Sequence, residues 1–251
     1  MWSKDEPRSN WRDNMSFDFH VLIDNWETLA KGFWLTIVIC STALVLALAG
    51  GVLLALGRLS RLWGLNYLSI GYIELFRNIP FMIQIFLWYY VLPFVGFRFP
   101  TFIVGIIALS AFASAYYAEI IRGAIQSVPK GQLESARAVG MSYFQAMQHI
   151  VFPQMMGYLI PPATNQSTSL IKESSLLSTI TVMELTMSAQ RVQAATYSHV
   201  EVLIAIALIY WMVNGTLSRA ARKLEDVLQP YKRSRVRADQ ARPALIEARP
   251  T

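Results

Sequence analysis

The sequence predicts an all-α integral membrane protein of about five transmembrane helices, and three observations carry that prediction. Hydrophobic residues make up 54% of the 251 residues and charged ones only 15%, a balance too apolar for a soluble surface. Long uncharged runs recur, and the stretch from Phe33 to Leu56 alone would reach roughly 36 Å as a helix, enough to cross a bilayer with tilt. Charge is also segregated along the chain. Residues 1–30 carry three basic against six acidic side chains, a net of −3, whereas residues 219–251 carry nine against four, a net of +5. An odd number of crossings with a cytoplasmic C-terminus and an external N-terminus produces that asymmetry. The formal charge of +6 therefore needs no nucleic acid to explain it. A basic tail beside anionic membrane lipids, gaining about 1 kcal/mol per residue near the surface, accounts for it.

Taken in order, residues 1–32 are too polar for a signal peptide and read as an external amphipathic segment. Phe17, Phe19, Leu22, Trp26 and Leu29 recur at helical spacing, Trp26 anchors the interface, and Lys31 and Gly32 close the helix. Residues 33–228 form the transmembrane domain. Its first span, Phe33 to Leu56, is followed by Arg58 and Arg61, which mark the cytoplasmic side. Leu65 to Asn78 carries Glu74 and Arg77 on one helical face and is placed partly in the interface. Pro80 starts the second span, running to about Phe94, with Gln84 its strongly polar member. Phe102 to Ile121 is the third, with Glu119 and Arg122 near its inner end. These two, three residues apart, either pair with each other or act as a gate or relay. A polar segment at 130–153 follows, then a fourth span from Met155 to about Ile171. Met187 to Glu201 reads as an exposed external loop, and Val202 to Leu217 as the fifth span. Residues 229–251 are basic, lack apolar periodicity and are expected to be disordered in the cytoplasm.

Two stretches carry the functional signal. From Glu134 to Pro153 the chain reads as a polar helical hairpin between membrane-grade segments, so a partner outside the bilayer must grip it. Glu134, Ala136 and Ala138 favour helix, Gly140 supplies a left-handed cap, Ser142 supplies an N-cap, and Pro153 ends the unit. The fourth span is too polar to face lipid, containing Pro161, Pro162, Thr164 and the run from Asn165 to Ser169. As a helix it aligns Asn165, Ser169 and Lys172 on one face and Gln166, Ser169 and Glu173 on the next. Such a stripe is either interhelical glue or the lining of a translocation path. Arg77 and Lys172 either counter a substrate carboxylate or pair with Glu74 and Glu173. No enzymatic chemistry is visible: there is no phosphate loop, no HExxH pair and no nucleophile turn. The single Cys40 and three scattered histidines suggest neither disulfide nor metal site.

The hairpin sequence E-S-A-R-A-V-G-M-S-Y-F-Q-A-M-Q-H-I-V-F-P resembles the EAA loop of bacterial ABC-importer permeases. Glu134, Ala136, Gly140, Ile150 and Pro153 fall on that pattern, while Ser135 and Phe152 depart from it. Y-Y-A-E-I-I-R ahead of the loop and K-E-S-S-L-L-S-T-I-T-V-M-E-L after the fourth span resemble the same family, and the likeness covers residues 17–228. It implies a type I importer permease fold in the bacterial inner membrane, with the loop docking as coupling helices into a dimer of ATP-binding subunits. It also implies a second permease subunit, identical or paralogous, and a periplasmic solute-binding protein. ATP and Mg would then be bound by the partner, with no cofactor on this chain. The stretch E-L-F-R-N-I-P-F-M-I-Q-I-F-L-W-Y-Y from Glu74 to Tyr90 resembles the polar amino acid branch, nearest to permeases for glutamate and aspartate, with glutamine or asparagine on the same frame. Another class stays open, a membrane scaffold or channel whose hairpin binds a partner without ATP-driven transport. A secondary transporter is disfavoured because no paired inverted repeat is visible.

Overall fold

The computed structural model describes residues 19–228, and among them the chain forms ten α-helices, one π turn and one 3-10 turn with no strand. The acidic start of the N-terminal segment, Phe17 and the basic tail lie outside the described residues.

The short α1 (His20–Asp24) ends at Asn25, whose Nδ2 donates back to the Val21 carbonyl at 2.9 Å. α2 (Trp26–Leu59) then runs for 34 residues, roughly 51 Å, well beyond the hydrocarbon core. The stop expected at Lys31 and Gly32 is absent, and the helix break sits at Asn25 instead. Lys31 pairs with Glu27 one turn earlier at 2.6 Å, which supports helix, and Gly32 is buried where any side chain would strike Ser188. Gly32 therefore serves a close helix approach rather than a helix end.

α2 packs along α5 (Thr101–Gln126), and small residues make the seam. Ala43, Ala47 and Ala55 of α2 and Ala108, Ala113 and Ala118 of α5 are fully or almost fully buried. A Cβ on Gly51 would lie 2.6 Å from the Cβ of Tyr117, so the helices meet more closely than any side chain at position 51 would allow. With lipid as apolar as leucine, such close packing rather than water exclusion holds membrane helices together.

α3 (Trp63–Asn78) and α4 (Phe81–Phe94) meet at a 109° bend. Ile79 precedes Pro80, which disfavours helix at that residue and removes the next backbone donor. At 14 residues, roughly 21 Å, α4 is too short to be the second span by itself. Together with α3 it has the length and apolar composition of a crossing, either as a broken span or as a re-entrant loop.

α8 (Phe152–Glu173) has 22 residues and continues through Pro161 and Pro162 without a break. It lies against α5 and α10 (His199–Leu228), with Tyr117 Oη 2.7 Å from Ser167 Oγ. The region expected to be an exposed loop is instead α9 (Leu185–Thr196), which buries Leu185, Ser188, Ala189 and Val192 against α2 and α10. Its spacing is that of an amphipathic helix, disguised by small and polar residues on the buried face. Among the described residues, α2, α5 and α10 are each long and apolar enough to cross a membrane. Counted as one broken span, the α3–α4 pair brings the number to four, and α8 has the length of a fifth but not the composition.

Candidate functional site

The hairpin between α5 and α8 is built from α6 (Lys130–Ala138) and α7 (Tyr143–Ala146), the latter followed by a π turn at Met147–Val151. Gly140 takes φ +89°, the left-handed conformation at which side chains are strained. Its N–H donates to the Arg137 carbonyl at 3.0 Å and that of Met141 to the Ala136 carbonyl at 3.1 Å, the paired bonds of a Schellman cap. Two residues later Ser142 opens α7 with a capping box: its Oγ accepts from Gln145 N–H, and Gln145 Oε1 accepts from Ser142 N–H at 2.9 Å. Both sides of the turn are thereby fixed by local hydrogen bonds.

Pro153 does not end the unit. It lies in the first turn of α8, and α7, the π turn and α8 follow one another without a break. Lacking an N–H, Pro153 cannot donate to the carbonyl of His149, and the backbone adopts the π turn just ahead of it. Ile150 lies half-buried within that turn. The inner side of the hairpin packs through Val128, Val151 and Met155 onto Ala124, and Gln154 Nε2 donates to Gln132 Oε1 at 3.2 Å. Ala136 is buried and Glu134 exposed. The tip is apolar and open: Val139 is 80% and Phe144 74% exposed. Beside it Val139, Gly140, Met141, Gln145 and His149 line a groove of about 460 Å³.

The residues considered for a path do not form one cluster. Gln84 is buried at the α3–α4 bend, where its Nε2 donates to the carbonyls of Phe76 at 2.8 Å and Ile79 at 2.7 Å. It closes the end of α3 across the break. Arg77 is exposed with its guanidinium 5.3 Å from the ring centre of Tyr116, and no ion pair joins it to Glu74 among the described residues. On α8, Asn165 and Lys172 are exposed, whereas Gln166, Ser169 and Glu173 are half-buried. Lys172 and Glu173 do not pair either; Glu173 Oε2 is buried with no hydrogen-bond partner. Lys172 and Thr168 face Tyr210, Trp211 and Asn214 of α10 across a groove of about 360 Å³, in which Asn214 Oδ1 also lacks a partner.

Glu119 and Arg122 do pair, Glu119 Oε2 accepting from Arg122 Nη2 at 2.6 Å. Glu119 also meets a partner that its helix does not reveal, Arg58 Nε of α2 at 3.0 Å. Sequence reasoning also missed Glu184. It is fully buried, caps α9 through the N–H groups of Thr186 and Met187, and accepts from Tyr210 Oη at 3.1 Å. An acidic residue just before a run with helical periodicity was the available signal.

A bundle of long apolar helices, interrupted by a rigid polar hairpin and by one helix with a polar stripe, defines a polytopic membrane subunit built for work with partners. The family model for the inner membrane component of binding-protein-dependent transport systems matches residues 27–226, and the chain belongs to that family. It is 39% identical over 213 residues to a probable glutamine ABC transporter permease protein of Bacillus subtilis (strain 168), covering 83% of this chain and 97% of the relative. It is also 39% identical over 230 residues to a nopaline transport system permease protein of Agrobacterium fabrum (strain C58 / ATCC 33970), covering 87% and 95%. A crystal structure of an amino acid ABC transporter with histidines superposes with a TM-score of 0.79 at 33% identity, covering 84% of this chain and 99% of the other. The chain is thus a permease subunit of an amino-acid ABC importer, whose ATP hydrolysis falls to a separate subunit.

Proposed function

We propose that the α6–α7 hairpin is the coupling element of this permease and that its cargo is a polar amino acid, glutamate or aspartate in the first place. The observation that carries the coupling role is an exposed apolar tip on a turn locked by a Schellman cap and a capping box. A partner's groove can grip Val139 and Phe144, and the turn passes the movement on without absorbing it. Gly140, Ala136, Ile150 and Pro153 give the hairpin its shape, and Glu134 presents a charge on the docking face. The gripping partner is a dimer of ATP-binding subunits, which holds ATP and Mg. A second permease subunit, identical or paralogous, completes the path, and a solute-binding protein delivers the amino acid on the side away from the hairpin. In this reading the N-terminus is external and the C-terminus cytoplasmic in a bacterial inner membrane.

The α8 stripe suits the zwitterionic end of an amino acid. Lys172 offers a cation to the α-carboxylate and Glu173, whose buried Oε2 has no hydrogen-bond partner, a carboxylate to the α-ammonium, with Asn165, Gln166 and Ser169 as neutral neighbours. Arg77, free of any ion pair to Glu74, supplies a further cation for an acidic side chain. Gln84, engaged with backbone at the bend, is left out of the path. A second reading, glutamine or asparagine, is favoured by the glutamine relative.

The test is ATP hydrolysis by the reconstituted importer, with candidate binding proteins loaded in turn with glutamate, aspartate, glutamine, asparagine or a basic amino acid. Stimulation by the glutamate- or aspartate-loaded protein is the expected result. Stimulation by the amide-loaded one alone selects the second reading, and stimulation only by a basic amino acid overturns both.

A further inference from the structure

α5 leads into the hairpin, with only Ser127, Val128 and Pro129 between its last residue and α6. Glu119 lies two turns before that junction, where three helices meet. Within α5 it binds Arg122, whose Nε and Nη2 reach its two oxygens at 2.6 to 3.2 Å. Across to α2 its Oε1 lies 3.0 Å from Arg58 Nε. The Arg58 carbonyl in turn accepts from Asn66 Nδ2 of α3, and Arg77 at the far end of α3 covers Tyr116, one turn before Glu119. Glu119 and Arg58 side chains are 18% and 26% exposed, so solvent screens the pair only in part.

The two ion pairs of Glu119 have different mechanical value. The bond to Arg122 ties nothing beyond α5. The bond to Arg58 joins α5 to α2 at the inner end of their close-packed seam, three residues past Ala55, the last buried residue of α2. When a partner moves the hairpin, the force enters α5 beyond the packed seam, and a cross-helix tie there carries it to α2 before α5 can bend away. The geometry points to Glu119 as a positioning residue for coupling, making α2 and α5 move as one body through Arg58. This rests on the hairpin being the coupling element.

The test uses the complete importer with its ATP-binding subunits and loaded binding protein. Glu119→Gln, Arg58→Gln, the double variant and Arg122→Gln are compared for assembly and for substrate taken up per ATP hydrolysed. Glu119→Gln and Arg58→Gln each assemble and lose about fivefold in uptake per ATP, and the double variant loses no more than either. Arg122→Gln loses less than about twofold, since its bond stays within α5. Undiminished uptake per ATP in Glu119→Gln overturns the proposal. So do additive losses, failure of the variants to assemble, or an Arg122→Gln defect equal to that of Arg58→Gln. A Gly140→Pro variant in the same assay separates the two ideas. If it stays coupled, the hairpin reading falls; if it uncouples while Glu119→Gln does not, only the tie falls.

Discussion

Gln84 illustrates how one polar side chain in an apolar run can be held by the backbone of a neighbouring helix, its Nε2 bonded there while its buried Oε1 has no partner. Placed by sequence in the second span, it reads as a path residue. In the folded chain it is 3% exposed and donates to two carbonyls that the α3–α4 break leaves without helical partners. Replacing Gln84 with Leu removes both bonds, and a lost partner of a buried polar group costs about 1–3 kcal/mol. The melting temperature of the purified complex is therefore expected to fall, measured by thermal denaturation in detergent, with the order of preferred substrates unchanged. A changed substrate order at constant melting temperature would return Gln84 to the path.

At the scale of elements, the hairpin is two short helices whose relative angle depends on one residue. Gly140 holds φ +89° and donates to Arg137. Proline fixes φ near −65° and has no N–H, so Gly140→Pro breaks the Schellman cap and re-aims α7. The spans pack elsewhere, so membrane insertion is expected to remain normal while ATP hydrolysis no longer drives uptake. Parallel measurement of uptake and hydrolysis checks this, and coupled transport in the variant would refute the hairpin's role. The caps were legible beforehand because they are local: glycine after a helical run and serine before one are chemical signals within a few residues. α9 was not legible, since Ser188 and Ala189 on its buried face resemble loop residues until the facing helices are known.

For the whole molecule, the exposed tip is the surface we propose for docking the ATP-binding subunit. Phe144 is 74% exposed, and burying its ring against a partner is worth about 1.5–3 kcal/mol. Phe144→Asp is expected to lower recovery of the ATP-binding subunit with this chain by roughly tenfold or more, while insertion stays intact. Co-purification at equal permease levels is the measurement. Full recovery would place the docking surface elsewhere on the hairpin.

Sequence alone determined the class of this protein and most of its helices, because hydrophobic length, charge asymmetry, capping residues and the E-S-A-R-A-V-G pattern are written in neighbouring positions. It misplaced the break at Asn25 and the burial of α9, and it did not reveal the bend between α3 and α4 or the backbone bonds of Gln84. Those features, with the Arg58–Glu119 pair, were decided by the tertiary structure. The physical reason is common to all: each depends on which backbone or side chain arrives from a distant segment. Gly32 reads as a helix end until Ser188 is found against it, and Glu119 reads as the partner of Arg122 until α2 brings Arg58 within 3.0 Å.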